Sequence, residues 1–170
     1  MDLAAFIRDV PDFPKPGIMF KDITPLLAHP EAFAFAVDSM VHWAKEHRVD
    51  SIAAAEARGF LFAAPLALRL RVPLIPLRKP GKLPYMTTSA KYQLEYGVNE
   101  LHMHVDAVRP GQNVLLVDDL LATGGTMAAA AELITQVGGN VAGYLFAIEL
   151  SFLNGREKLG NHPVHALLNY

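Results

Sequence analysis

Apolar positions along this chain fall into two kinds of run. Residues 114–117, Val-Leu-Leu-Val, are short and continuous, as expected of a strand buried on both faces. Residues 51–55 and 141–150 read the same way. A further strand over 72–77 carries Pro73 and Pro76, which assign it to an irregular or edge position. Elsewhere the apolar residues recur at helical spacing. Phe33, Val37, Met40, Val41 and Ala44 predict a helix over 30–48. The apolar run 61–71 and the alanine-rich run 127–137 predict two more, the last closed by Gly138-Gly139. Residues 1–10 predict a short amphipathic helix, and the Pro- and Gly-rich stretch 11–20 a rigid irregular loop. Over 85–105 polar and apolar residues alternate, with Tyr92, Leu94 and Tyr96 on one face and Gln93 and Glu95 on the other, as in a β-hairpin. Strands alternating with helices predict an α/β fold, a mainly parallel twisted sheet flanked by helices.

Length and composition narrow this picture. With 170 residues and 52% apolar content, the expectation is one domain over 1–170 with a sizeable core. No repeat, low-complexity tract or dividing linker interrupts it. The absence of cysteine excludes disulfides and thiolate metal sites and fits a cytoplasmic protein. No leader pattern opens the chain and no apolar run is long enough to span a bilayer, so no membrane partner is expected. A net charge of -2 offers no general attraction to nucleic acid. A polyanionic small ligand would need a local cationic cluster, and Arg78-Lys79-Pro80-Gly81-Lys82 supplies one. His102 and His104 share a strand face but have no evident third partner for a metal.

The chemistry concentrates behind the central strand. Asp118 and Asp119 follow it directly, then a turn with Ala122, Thr123, Gly124, Gly125 and Thr126, then the alanine-rich helix. Glycines let a ligand approach the backbone, and successive N–H groups can converge on one anion beside the positive end of a helix. Thr123 and Thr126 can add hydroxyl donors. Like charge keeps the two acids off a phosphate; they suit neighbouring hydroxyl groups, or a magnesium ion. This is neither a Walker A loop nor a dinucleotide fingerprint. A ligand with a phosphate at one end and sugar hydroxyls beyond it satisfies both halves.

The run Val117-Asp118-Asp119-Leu120-Leu121-Ala122-Thr123-Gly124-Gly125-Thr126 resembles the phosphoribosyl-pyrophosphate signature of the type I phosphoribosyltransferases, in wording that resembles their adenine-using branch. Related words occur in the same order along nearly the whole chain. Phe13-Pro14 through Ile23 resembles the base-binding hood, which implies Phe20 stacking on adenine and the backbone at Met19 and Lys21 reading its edge. The hood would comprise residues 1–22 and the C-terminal tail. Glu56-Ala57-Arg58-Gly59 resembles the pyrophosphate loop, with Arg58 on pyrophosphate oxygens and a cis peptide at Glu56–Ala57. Ala55 departs from the glycine many relatives carry. Lys79 and Lys82 would reach a pyrophosphate, in their own or a partner's site. Leu94-Glu95-Tyr96-Gly97 resembles the motif of a flexible lid, here residues 79–105. The resemblance implies that Glu95 exchanges a proton with the purine and that Tyr96 packs on the sugar or pyrophosphate. Gly155-Arg156-Glu157-Lys158-Leu159 also resembles the family's tail, which implies that it completes the hood side. The implied reaction joins adenine and phosphoribosyl pyrophosphate into AMP and pyrophosphate, in a homodimer, with magnesium carried mainly by the substrate and no dedicated metal ligand. Three rivals stand beside it: a regulatory protein that binds the same ligand without transfer, a transferase for another base, and a structural domain that binds pyrophosphate.

Overall fold

The computed structural model describes residues 1–93 and 98–170 and divides into two units, Met1–Ser39 and Met40–Tyr170. In the first, Asp2 accepts a hydrogen bond from the Ala4 N–H at 3.0 Å and opens a 3₁₀ turn, Leu3–Phe6. The helix predicted over 1–10 stops there. Pro11 biases Val10 toward extended backbone, and β1 (Arg8–Pro11) pairs antiparallel with β2 (Met19–Asp22), a strand not foreseen in the sequence. The Asp12 carboxylate accepts from the Gly17 N–H at 2.8 Å and ties off the loop between them. Asp22 accepts from the N–H and hydroxyl of Thr24, at 2.9 and 2.8 Å, and starts the short α1 (Thr24–Ala28). The helix α2 (Pro30–Lys45) follows the predicted period and ends before residue 48.

The second unit is built on five strands. β3 (Ser51–Ala55) is buried throughout. It leads through α3 (Gly59–Leu70) to β4 (Leu74–Leu77). A hairpin, β5 (Thr87–Gln93) and β6 (Val98–His104), precedes the central β7 (Asn113–Leu121). Next come α4 (Gly125–Gln136), β8 (Asn140–Glu149) and β9 (Val164–Asn169). The sheet runs β4-β3-β7-β8-β9 and every pairing is parallel. The mainly parallel α/β fold expected from the sequence is therefore present. β4 is an edge strand, where the missing N–H of Pro76 interrupts no ladder. The opposite edge is β9, a strand that the sequence pattern does not predict.

Alternation along β3 and β7 divides the core. Ala53, Val114 and Leu116 share a cluster with Leu133 and Ile134 of α4. Ile52, Ala54, Leu115 and Val117, equally buried, point to the other face, which α3 covers. The hairpin belongs to this core at its base. Ala90, Leu101 and Met103 join the α4-side cluster, and Gln136 of α4 accepts a hydrogen bond from the Thr88 hydroxyl at 2.5 Å.

Candidate functional site

The order of the strands creates the site. From β3 the chain crosses to β4 on one side, and from β7 it crosses to β8 and β9 on the other. The crossovers diverge between β3 and β7, so a crevice opens beyond their carboxyl ends, where ligands bind in sheets of this kind. A cleft of about 250 Å³ lies there, lined among others by Glu56, Arg58, Lys79, Tyr92, Asp118 and Asp119. A hollow of about 70 Å³ adjoins it, bounded by Asp118 and the turn from Ala122 to Thr126.

The turn after β7 is a backbone site. Gly124 takes φ +80° and ψ −7° at the N-cap of α4, a conformation that favours glycine. Its carbonyl accepts from the Ala128 N–H at 2.9 Å. The first-turn N–H groups of α4 have no partner within the helix, and together with the helix dipole they favour an anion. The β7 strand runs further than its apolar core predicts. β8 pairs with Asp118, Leu120 and Leu121, so both acids lie within the strand rather than in the turn.

The acid pair is held from two sides. The Asp118 Oδ1 accepts from the Asp119 N–H at 2.9 Å. A Cβ on Gly59 would lie 2.8 Å from that Oδ1, so the first residue of α3 must be glycine for the carboxylate to sit there. Asp119 is 4% exposed, and its Oδ2 lies 3.0 Å from the Nε of Arg58. That oxygen nevertheless accepts no well-directed hydrogen bond among the described residues, which suits a hydroxyl donor from a ligand. Burial raises the Asp118 carboxyl well above the usual carboxylate range, and the neighbouring Asp119 charge adds to the rise. Burial raises Asp119 as well, opposed by the Arg58 guanidinium.

The turn after β3 is a side-chain site. The Glu56–Ala57 peptide is cis, as the resemblance implied. Glu56 accepts a very short hydrogen bond from the Arg78 Nε and another from the Lys79 N–H at 3.3 Å. Burial opposes its charge, but these hydrogen bonds and the two cations hold its carboxyl below the usual range. Arg78 also donates to the Lys82 carbonyl at 3.2 Å, so one guanidinium orders the backbone of the basic loop.

The predicted residues therefore divide into groups. Arg58, Lys79, Asp118, Asp119 and Thr126 meet around the cleft, and Ala122, Thr123, Gly124 and Gly125 around the adjoining hollow. Lys82 is exposed and stands outside the cleft lining. Met19, Phe20 and Lys21 lie on β2 of the first unit. Phe20 meets Phe13 edge-on with ring centroids 5.0 Å apart, and the Lys21 ammonium lies 2.6 Å from Asp9. Glu95 and Tyr96 fall outside the described residues. Among the described residues no three potential ligands gather for a metal, His102 and His104 included. The sequence alone does not point to these roles for Glu56, Gly59 and Arg78. Their partners lie far along the chain, and only the Glu-Ala-Arg-Gly word hinted at the first two.

Comparison with known proteins bears on the whole chain. The family model described as "Phosphoribosyl transferase domain" matches residues 24–150. The adenine phosphoribosyltransferase of Kosmotoga olearia is 54% identical over 170 residues, covering 100% of both chains. The crystal structure of the adenine phosphoribosyltransferase from Thermoanaerobacter pseudethanolicus superposes with a TM-score of 0.97 at 50% identity, covering 99% of this chain and 98% of that one. The Saccharomyces cerevisiae enzyme, complexed with D-2,5-dideoxy-2,5-imino-altritol 1,6-bisphosphate and adenine, gives 0.94 at 42% identity, covering 98% and 97%.

Proposed function

The chain belongs to the phosphoribosyl transferase family, in its adenine phosphoribosyltransferase branch, and from that premise we propose how its residues divide the work. The reaction transfers the 5-phosphoribosyl group from phosphoribosyl pyrophosphate to adenine, giving AMP and pyrophosphate in purine salvage. The observation that carries the assignment of roles is the meeting of three elements at one crevice. A glycine turn, an acid pair and a cationic turn lie side by side, in the order of phosphate, ribose and pyrophosphate.

The 5-phosphate sits on Ala122, Thr123, Gly124, Gly125 and Thr126, accepting backbone and hydroxyl hydrogen bonds. Asp118 and Asp119 accept from the ribose hydroxyls, which requires their ionised forms. As the bond from C1 to pyrophosphate breaks, positive charge grows on the ribose and negative charge on the leaving oxygens. Arg58, Lys79 and Lys82 stabilise those oxygens. A purine nitrogen forms the new bond to C1, and Glu95 exchanges the proton with the ring. Tyr96 packs on the sugar or pyrophosphate. Phe20 stacks on adenine, and the backbone at Met19 and Lys21 reads its edge.

The acid pair at the cleft fits magnesium held mainly by the substrate's own oxygens. When bound, it would neutralise charge on the pyrophosphate. No helix among the described residues is long and apolar enough to cross a membrane. A cytoplasmic homodimer, with the basic loop reaching its own or the partner's pyrophosphate, completes the proposal.

The test is a panel of bases with phosphoribosyl pyrophosphate and magnesium, read by nucleotide formation. Product with adenine alone is the expected result. Product with hypoxanthine or guanine instead would overturn the base-reading role of Met19, Phe20 and Lys21. Binding of phosphoribosyl pyrophosphate without product for any base would favour the regulatory rival.

A further inference from the structure

The phosphate turn rests on a part of the tail that no step above uses. A Cβ built on Gly124 would lie 2.3 Å from the Gly155 carbonyl oxygen, and one on Gly155 would lie 2.2 Å from the Ala122 carbonyl oxygen. Neither side chain could exist without parting the two segments, so backbone packs directly on backbone. Gly155 is buried and begins a 3₁₀ segment, Gly155–Leu159, whose last residue is 1% exposed and joins the α4-side core.

One ion pair fastens this segment. Glu149, at the end of β8, is 5% exposed. Its Oε1 and Oε2 accept from the Arg156 Nε at 2.8 and 3.0 Å, and its Oε2 accepts from the Arg156 Nη2 at 2.5 Å. Arg156 Nη1 donates to the Val164 carbonyl at 3.2 Å, just where β9 begins. The guanidinium therefore bridges β8 and β9 and holds the residue next to Gly155. Glu149 pairs in register with Leu121, the last residue of β7 before the phosphate turn. The Leu150 N–H also donates to the Leu121 carbonyl at 2.9 Å. Sheet and tail thus hold the turn at Leu121 and from Ala122 to Gly124.

We propose that the segment from Gly155 to Leu159 is a clamp on the phosphate turn, and that Glu149 and Arg156 are positioning residues for the 5-phosphate end of the substrate. The proposal rests on the reading of Ala122 to Thr126 as the phosphate site. A fork-to-carboxylate pair is directional as well as charged, so it sets where Gly155 stands, not only that the tail is attached. An anion site made of backbone N–H groups depends on their aim, and the clamp supplies the surface that fixes it. Neither Glu149 nor any residue from Gly155 to Leu159 lines the cleft on the pyrophosphate side, which is built on Arg58 and Lys79.

The test measures binding of ribose 5-phosphate and of inorganic pyrophosphate to Arg156→Gln, Glu149→Gln and the double variant, by calorimetry with magnesium. Ribose 5-phosphate affinity should fall about tenfold, the weight of one charged hydrogen bond, while pyrophosphate affinity stays within about twofold. The double variant should lose little more than either single one, because both break the same pair. Arg156→Lys, which keeps the charge without the fork, should recover only part of the loss. Equal weakening of both ligands, or no weakening of either, would overturn the clamp. If Arg156→Gln fails to fold, Arg156→Lys with the same two ligands decides. Thr123→Val and Thr126→Val separate the clamp from the reading beneath it. Normal ribose 5-phosphate binding in those two variants would sink the phosphate site itself. Loss there with normal binding in the Arg156 variants would sink the clamp alone.

Discussion

Two turns follow adjacent parallel strands at the head of this sheet, and in the proposed reading they would bind an anion in opposite ways. The turn after β3 works through side chains. It presents Arg58 and turns Glu56 back to gather Arg78 and the Lys79 backbone. The turn after β7 carries no charged side chain and would work through backbone N–H groups, glycine and threonine. On the roles proposed above, the difference follows from what each part of the ligand does. A phosphate that only anchors can be held by fixed dipoles. A leaving group that gains charge needs cations where that charge arrives. The acid pair stands between them and is tied to the first turn by Arg58 and to α3 by the missing side chain of Gly59.

Gly124→Val should break this contrast most severely. The left-handed backbone disfavours a β-branched residue, and the added carbon would strike Gly155. Ribose 5-phosphate binding should fall by about a hundredfold or more, as expected when binding groups are displaced by an ångström. Calorimetry should still detect pyrophosphate, and loss of both ligands together would mean that the two turns are not separate sites.

Next in size, Arg58→Gln should lower turnover by roughly a hundredfold, the usual scale for losing one group that stabilises developing charge. Ribose 5-phosphate should bind nearly as before. Asp119→Asn should also lower turnover, by about tenfold, with the fold intact. Steady-state kinetics of the two variants and their combination would show whether Arg58 acts on the leaving group or only through Asp119. Unchanged turnover in Asp119→Asn would remove the acid pair from the mechanism.

The smallest effect concerns stability. A carboxyl raised by burial favours its protonated form in the folded state. Its ionised form therefore costs stability once the pH exceeds its unfolded value, and the loss grows until the pH passes the folded value. At about pH 7.5, unliganded Asp118→Asn should melt about 3 °C above the parent, corresponding to about 1 kcal/mol in a chain of this size. The gap should close as the pH falls below the ordinary carboxylate value near about 3.9, where both states of the parent become protonated. A gap constant with pH would contradict the raised carboxyl.

The two turns were unequally legible. The glycine turn could be read from a dozen consecutive residues, because strand, acids, glycines and helix start are all local signals. The Glu56–Arg58 turn was legible mainly through resemblance, since a lone arginine after a short strand carries no chemistry by itself. The first strand pair escaped because its apolar residues are few and its pairing lies across a proline-rich loop. The strand β9 escaped because Val164–Asn169 shows neither a continuous apolar run nor a clean alternation.

By itself the sequence determined the alternating α/β order, the edge position of β4, the two loops and the family, because periodicity, proline and glycine act within a few residues. Tertiary structure alone decided that Arg58 meets Asp119, that Glu56 gathers Arg78, and that Gly155 lies under Gly124. Those partners are distant along the chain, and sheet order, which no local preference encodes, brings them within hydrogen-bond and van der Waals reach.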